Sequence, residues 1–418
     1  MVIAAKLGLA LGCLVVFIVA HRVVARRDGP AVRRGLLAAY VISRVVLFGA
    51  VYGVAGLAPM SDVTVYYAEA TAALAGQVPL VDIPTAWGPL FPYLAALPLV
   101  LSDSAVGIVA LALLFEALSL PLWLVAGDRT FGATVTTRGL LAYVCCPLSL
   151  VNVPITGQNH VWLATFAAAS VVMLITGRPA WSGWWTGVSV VAVKFLSLLW
   201  APVFWLVTPA RPRWAWGFAV PVAAVYAVVW WMGADLLAQI RFHAADNSSG
   251  NLPFLLGAVG VNASVPWIRH VMNGVAVMVL GGVLAAGVVT ARVRTPRQAV
   301  LMMPLLLVVL LILSKKSFAS YSEAALFPLC LSFACLRWST WTIGAAGLFA
   351  TLATVEPSLW FRWMDAGEFA PIWTWVNRGD AGLAAAFVTV DAALVGAYVM
   401  IAIVLWRQLR EPGSVAPG

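Results

Sequence analysis

Residues 104–126 read SAVGIVALALLFEALSLPLWLVA, a run that contains one charged side chain, Glu116. A helix of about 20 apolar residues spans the roughly 30 Å hydrocarbon layer of a bilayer, and it satisfies every backbone N–H and C=O group internally. The run therefore predicts a transmembrane helix.

The same pattern recurs along the whole chain. Of its 418 residues, 63% are hydrophobic and 10% charged, with a mean hydropathy of +0.97, which excludes soluble globular and disordered classes. The predicted fold class is all-α: a polytopic membrane protein of about 11–13 transmembrane helices, with one transmembrane domain over residues 1–410 and a disordered tail at 411–418. The other apolar runs are 2–20, 35–58, 139–156, 160–176, 215–232, 271–291, 299–314, 321–336, 338–355 and 382–405.

Neither the charge nor the cysteines indicate a nucleic-acid or metal partner. The formal net charge is +9, but the basic residues are scattered between apolar runs, whereas binding to a phosphate backbone needs them on one face. No CxxC or His/Cys ligand spacing occurs, so we predict no metal site and no cofactor. The five cysteines are interpreted as buried thiols: Cys13, Cys145, Cys146, Cys330 and Cys335.

The distribution of charge predicts the orientation. Lys6 precedes the core of the first run and a basic cluster follows it, the reverse of a signal peptide, so we expect this run to stay attached with its amino end outside. Sixteen of the 25 Lys and Arg then fall in cytoplasmic loops: Arg22, Arg26, Arg27, Arg33, Arg34, Arg129, Arg138, Arg178, Arg211, Arg213, Arg292, Arg294, Arg297, Arg337, Arg407 and Arg410. This positive-inside bias predicts a cytoplasmic carboxy terminus.

Three outer loops, 59–103, 233–270 and 356–381, are too long to be simple connections and are rich in aromatic residues and proline, so we predict folded loops on the membrane surface. Counting 89–102 as a crossing would place Arg129 and Arg138 outside. That segment is therefore predicted to be an interfacial helix.

Charges inside apolar runs need partners or a cavity. Arg44 and Glu116 lie at a similar depth and are predicted to form a buried ion pair. Lys194 divides 182–207, which predicts two half-length helices that meet in a bend, with the lysine facing a cavity. Asp391 has no obvious partner.

The strongest candidate for chemistry is Asp62, in the sequence Met60-Ser61-Asp62-Val63-Thr64-Val65-Tyr66-Tyr67. It directly follows an outward-going helix, where a partly desolvated carboxylate beside aromatic rings can act as a general base. The alternative is an interfacial helix N-cap, because aspartate caps helices well and 62–75 has a helical pattern.

The sequence after Asp62 contains YYAEA at 66–70, GQVPLVD at 76–82 and WGPL at 87–90. This order resembles the first outer loop of the GT-C glycosyltransferases, polytopic enzymes that take a sugar from a polyprenyl-phosphate carrier. It is most similar to their bacterial, actinobacterial mannosyltransferase-like branch. Three later stretches match in order: GQNH at 157–160, the Gly-x-x-x-Gly…Lys pattern at 183–194, and KKSFASY at 315–321 with Pro328.

The resemblance implies a sugar donor on a polyprenyl phosphate and a glycolipid or glycan acceptor. The resemblance, together with the unusual positions of several charged residues, gives a set of substrate-binding candidates. They are Tyr66, Tyr67, Glu69, Asp82, Gln158, Asn159, His160, Lys194, His243, Lys315, Lys316 and Tyr321. Two features depart from the family. Ser61 replaces a second carboxylate, which leaves Asp62 as a single base or gives a role to Glu69 or Asp82, and an arginine expected after His243 is missing.

Lys315 and Lys316 depart from the positive-inside rule, because they lie at an outer helix end. Two ammonium groups there suit the phosphate of a lipid carrier, whose charge they neutralise as it leaves. Snorkelling to ordinary head groups is the alternative. His243 lies in the long outer loop 233–270, and the alternative to a role in substrate binding is an ordinary solvated histidine.

The sequence thus supports an extracytoplasmic glycosyltransferase that transfers mannose or arabinose, with membrane lipids, a polyprenyl-phosphate sugar and an acceptor as partners. A lipid or sugar flippase is the second hypothesis, but it predicts two related halves with broken helices at corresponding positions, and only the break at Lys194 is visible. A carrier-lipid ligase would place an arginine cluster outside, and the sequence has none there.

Overall fold

The structure is a computed structural model that describes residues 2–26, 29–245, 247–261, 265–290, 293–365 and 381–410. These ranges contain helices and turns but no β-strand, so the predicted all-α class is confirmed. The α-helices are α1 (Val2–Arg26), α2 (Pro30–Phe48), α3 (Asp62–Leu74), α4 (Phe91–Ala96), α5 (Ala105–Thr130), α6 (Ala133–Val144), α7 (Pro147–Asn152), α8 (His160–Ile175), α9 (Pro179–Ala192), α10 (Ala201–Val207), α11 (Arg211–Trp231), α12 (Ala238–Ala245), α13 (Leu252–Ala258), α14 (Pro266–Val289), α15 (Pro296–Leu313), α16 (Leu326–Ala334), α17 (Thr340–Asp365) and α18 (Ala381–Arg410).

Seven of the described helices, α1, α2, α5, α11, α14, α15 and α18, are long and apolar enough to cross a bilayer. Two other predicted runs are divided into shorter pieces. The run 139–156 divides into α6 and α7, because Pro147 has no N–H for a continuous helix. The run 321–336 begins with the 3₁₀ turn Ala319–Ala325 before α16.

The third outer loop, predicted at 356–381, begins later than expected. Residues 356–365 are the last turns of α17, which continues through Pro357. The prediction was wrong for this segment because a proline and three charged residues, Glu356, Arg362 and Asp365, interrupt the apolar run without ending the helix. Residues 366–380 and the predicted tail at 411–418 lie outside the described residues.

The bend at Lys194 is confirmed. Helix α9 ends at Ala192, Lys194 has an extended backbone, and the 3₁₀ turn Phe195–Leu199 leads into α10. The segment 89–102 holds only the six-residue α4 and the 3₁₀ turn Leu97–Val100, too short to cross the membrane.

Helices α9 and α11 pack backbone against backbone through glycines. A methyl group on Gly183 or Gly217 would lie 2.0 Å from a carbonyl oxygen of the other helix, and one on Gly187 would lie 2.4 Å from the Phe218 carbonyl oxygen. Small residues four apart allow this approach in membrane helices.

The predicted ion pair between Arg44 of α2 and Glu116 of α5 is confirmed. Arg44 Nη2 lies 3.0 Å from Glu116 Oε1, and both side chains are buried. Arg44 Nη2 also donates to Ser149 Oγ at 2.7 Å, and the Tyr143 hydroxyl donates to Glu116 Oε1 at 2.7 Å. The network joins α2, α5, α6 and α7 at the centre of the bundle.

Asp391 has a partner that the sequence did not indicate. Its Oδ2 atom accepts a hydrogen bond from the backbone N–H of Gly250 at 3.0 Å, and Glu356 accepts one from the Ser249 hydroxyl. Two carboxylates from α17 and α18 therefore hold the turn 248–251 inside the bundle, where that turn is buried.

Candidate active site

Asp62 is the first residue of α3 and is half-buried. The N-cap position belongs to Ser61, whose φ of 62° lies in the left-handed region that non-glycine residues rarely adopt, and no side-chain capping bond forms there. Strained backbone of this kind clusters at functional sites. The capping explanation for Asp62 therefore loses its main support, and its carboxylate is available for other contacts.

Tyr66 lies one helical turn after Asp62 and points the same way. Its hydroxyl is 3.5 Å from Asp62 Oδ2, and its fully buried ring meets the edges of Trp87 and Phe91 at centroid distances of 4.8 and 4.9 Å. Burial, and then the Asp62 carboxylate, raise the pKa of Tyr66 well above its ordinary value. The phenol therefore stays a neutral donor toward Asp62.

Lys194, His160 and Tyr321 form a second group beside the first. Lys194 Nζ donates to the Tyr321 hydroxyl at 3.0 Å and lies 4.3 Å from the centroid of that ring. The His160 ring packs against Tyr321 at a centroid distance of 4.5 Å. The bend between α9 and α10 thus turns Lys194 toward Tyr321, and the prediction that it faces a substrate cavity stays a prediction.

The turn before α8 connects the two groups. The backbone of Asn159 lies within reach of the Tyr66 hydroxyl, and His160 continues into the group around Tyr321. Gly157 has a φ of +55°, and a methyl group there would meet Val63 of α3 at 2.9 Å and Val109 of α5 at 3.0 Å, so only glycine fits.

This turn carries unusual unpaired polar groups. Gln158 Oε1, both polar side-chain atoms of Asn159 and both ring nitrogens of His160 are buried without a hydrogen-bond partner among the described residues. Buried polar atoms nearly always have partners. Five such atoms on three consecutive residues indicate a place where water or a hydroxyl-rich ligand supplies the missing bonds.

Two loops close over the bend. The N–H groups of Gly88 and Leu90 donate to the carbonyls of Val193 and Val191, each at 2.9 Å. From the long loop, the side chain of Gln239 donates to the Trp87 carbonyl, and His243 Nε2 lies 2.8 Å from the Ala86 carbonyl oxygen. His243 is therefore a partner of the first loop.

Gly88→Ala should detach this loop. A methyl group there would lie 2.3 Å from the Val191 carbonyl oxygen, a backbone atom that cannot move aside. We expect the purified variant to lose about 1–3 kcal/mol of stability, measured as a lower midpoint of thermal unfolding. Gly257→Ala is the matched control, since nothing lies within 4 Å of that position in α13. Equal midpoints for both variants would contradict the proposed contact.

Lys315 and Lys316 follow α15 at the same end of the bundle. Lys315 is buried and its Nζ donates to Asn247 Oδ1 at 3.3 Å, while Lys316 is half-buried. Ser248 fixes this segment, because its N–H donates to the Lys315 carbonyl at 2.7 Å and its hydroxyl accepts from the Ser317 N–H at 2.7 Å.

The segment 315–317, which we call the lysine segment, is followed by Phe318. The ring centroid of Phe318 lies 5.9 Å from that of Tyr321, so this residue connects the lysine segment to the rest of the site. Asp62, the bend at Lys194 and the lysine pair therefore share one end of the bundle, which we call the site end.

Three candidates from the first outer loop make other contacts. The Tyr67 hydroxyl donates to Asp103, and Asp82 Oδ2 accepts from the Val78 N–H at 2.8 Å within a turn. Glu69 is buried and accepts a bond from Thr85 at 2.8 Å; burial raises the pKa of its carboxyl group to about 7. The hydrogen bonds of these three residues stabilise the first outer loop, and none of them joins the group around Asp62.

Sequence reasoning missed several residues that build the site. Trp87 and Phe91 enclose Tyr66, and Ser248 fixes the lysine segment. Trp87 lies in the stretch WGPL, whose resemblance to the GT-C first outer loop was a signal for it, whereas no sequence pattern indicated Ser248. Among the described residues, no group of three or more His, Cys, Asp or Glu side chains could hold a metal ion.

No family model matches the chain, and no curated protein matches it by sequence. Solved structures do resemble it. ArnT from Cupriavidus metallidurans bound to undecaprenyl phosphate superposes with a TM-score of 0.51 at 13% identity, covering 91% of this chain and 78% of ArnT. ArnT in the apo state gives 0.50 at 15% identity, over 90% and 77%. The chain shares the GT-C fold of ArnT, as the sequence predicted.

Proposed function

We propose that this protein transfers a sugar, mannose or arabinose, from a polyprenyl-phosphate carrier to a glycolipid or cell-wall glycan on the outer face of the membrane. The observation that carries the proposal is the group of Asp62, Tyr66, His160, Lys194 and Tyr321 under two closed loops. The shared fold adds support, because the ArnT structure holds undecaprenyl phosphate. The mannosyltransferase-like branch is supported by the matched motifs alone.

The chemistry is one displacement. Asp62 takes the proton of an acceptor hydroxyl, whose oxygen attacks the anomeric carbon of the donor sugar. The bond from that carbon to the phosphate oxygen breaks, and the phosphate leaves with the electron pair. Lys315 and Lys316 stabilise the charge that develops on it. The unpaired amide atoms, Oε1 of Gln158 and both polar atoms of Asn159, are suited to the sugar hydroxyls.

The proposed orientation follows from the loops. With the amino terminus outside and the carboxy terminus in the cytoplasm, the site end faces the outer surface. A carrier whose tail lies among the helices would then present its phosphate at the height of the lysine pair and its sugar beneath the closed loops.

Purified protein in nanodiscs, given polyprenyl-phosphate mannose, arabinose and other sugars with a membrane glycolipid extract, should release free polyprenyl phosphate and yield a glycosylated product. Mass spectrometry of both products measures the reaction. Failure to turn over any donor, together with movement of a labelled polyprenyl-linked sugar across a vesicle membrane, would instead favour the flippase.

A further inference from the structure

An apolar groove runs along α15, with α14 on one side and α18 on the other. Val283 of α14, Leu305 and Val309 of α15, and Ala402 and Trp406 of α18 line it, around a volume of about 580 Å³. The groove lies on the outside of the bundle, away from the group around Asp62.

The dimensions suit a lipid chain. The α18 residues along the groove run from Val399 to Arg410, a helical rise of about 17 Å. One leaflet of a bilayer contributes about half of the roughly 30 Å hydrocarbon layer, close to the same length. The groove can therefore hold one extended acyl chain.

One end of the groove is basic. Arg407 and Arg410 line it, both are exposed, and their spacing of three residues places them on one face of α18. None of the lining residues that the structure describes is acidic, and neither arginine takes part in an ion pair within the described ranges. This end lies opposite the site end, because α18 carries Asp391 toward the turn 248–251 and then continues away from it.

Apolar walls with cations at one end match a lipid that has an anionic head group. Basic pockets between transmembrane helices bind such head groups, and guanidinium groups bind phosphate through two parallel hydrogen bonds. A polyprenyl phosphate fits less well: the groove extends along α15 to Ile312, but a carrier whose phosphate lies at Lys315 would bring only its apolar tail toward the two arginines. The arginines would then face only hydrocarbon and solvent.

We infer that this groove binds an anionic diacyl phospholipid, with an acyl chain along α15 and its phosphate against Arg407 and Arg410. The bound lipid would join α14 to α18 and support α15, the helix that leads to Lys315. The choice of a phospholipid over the carrier rests on the proposed function, which places the carrier phosphate at Lys315, whereas the apolar walls and the basic end of the groove do not.

Native mass spectrometry of the purified full-length chain tests it, with dioleoyl phosphatidylglycerol and dioleoyl phosphatidylcholine as probes of equal chain length. We expect the anionic lipid to bind at least about tenfold more tightly. The double variant R407Q/R410Q should weaken phosphatidylglycerol binding by about tenfold or more. The variant R178Q/R213Q removes two exposed arginines at the same end of the bundle and should leave binding unchanged.

A second variant tests the walls. Ala402→Trp fills the groove and leaves both arginines, so it should also release the anionic lipid; its thermal unfolding midpoint shows whether it is folded. Unchanged phosphatidylglycerol binding by R407Q/R410Q would overturn the inference. So would equal binding of the two phospholipids, or displacement of phosphatidylglycerol by stoichiometric polyprenyl phosphate, which would give the groove to the carrier.

Discussion

Asp62→Asn is expected to lower kcat for sugar transfer by at least about a hundredfold, the lower range of what a positioned general base contributes. The amide has the size of the carboxylate and can still accept a hydrogen bond from Tyr66, which lies 3.5 Å away. It cannot take up a proton from the acceptor hydroxyl. KM for the donor should change little, because the donor phosphate is bound elsewhere. Initial rates at several donor concentrations measure both parameters.

Two carboxylates on the same loop serve as controls. Asp82→Asn should retain activity near that of the wild type, because Asp82 accepts a bond within a turn away from the site. Glu69→Gln should keep the acceptor for Thr85 and therefore the loop position. If Asp62→Asn retained a tenth or more of the wild-type kcat while Glu69→Gln lost activity, Glu69 would be the base.

The long helices could be predicted from composition, because a polypeptide backbone can cross the hydrocarbon layer of a membrane only as a helix or as part of a closed barrel. The bend at Lys194 and the Arg44–Glu116 pair could be predicted for a related reason: a charge in that setting needs a cavity or a partner. The division into α6 and α7 was harder to foresee. Apolar composition alone does not show where a helix breaks, and α17, α5, α11 and α15 each contain a proline that does not end them.

Residues of the site could be predicted where helical spacing or a charged residue in an apolar stretch distinguished them from their neighbours. Asp62, Tyr66 and Glu69 have i, i+4 and i+7 spacing and share one face of α3, whereas Tyr67 follows Tyr66 by one residue and points elsewhere. Helical spacing could therefore have excluded Tyr67. The partner of Asp391 could not be found in this way, because it is the backbone N–H of Gly250, and any residue except proline carries that group.

Arg44→Met is expected to destabilise the protein by about 3–5 kcal/mol, the typical cost of removing one partner of a buried ion pair. Glu116 would remain fully buried, with the hydroxyls of Tyr143 and Tyr40 as neutral donors in place of its ion-pair partner. Denaturant unfolding of the purified variant in a fixed detergent, followed by tryptophan fluorescence, measures the loss.

The double variant Arg44→Met/Glu116→Gln separates the cost of an uncompensated charge from the cost of lost packing. The neutral glutamine still accepts the Tyr143 hydroxyl and removes the uncompensated charge of Glu116, so we expect it to recover most of the stability that Arg44→Met loses. A double-mutant cycle then gives a coupling energy, which is large only when the two side chains interact directly. Purely additive losses would mean that Arg44 stabilises the bundle through its contacts with Ser149 and the Tyr40 ring instead.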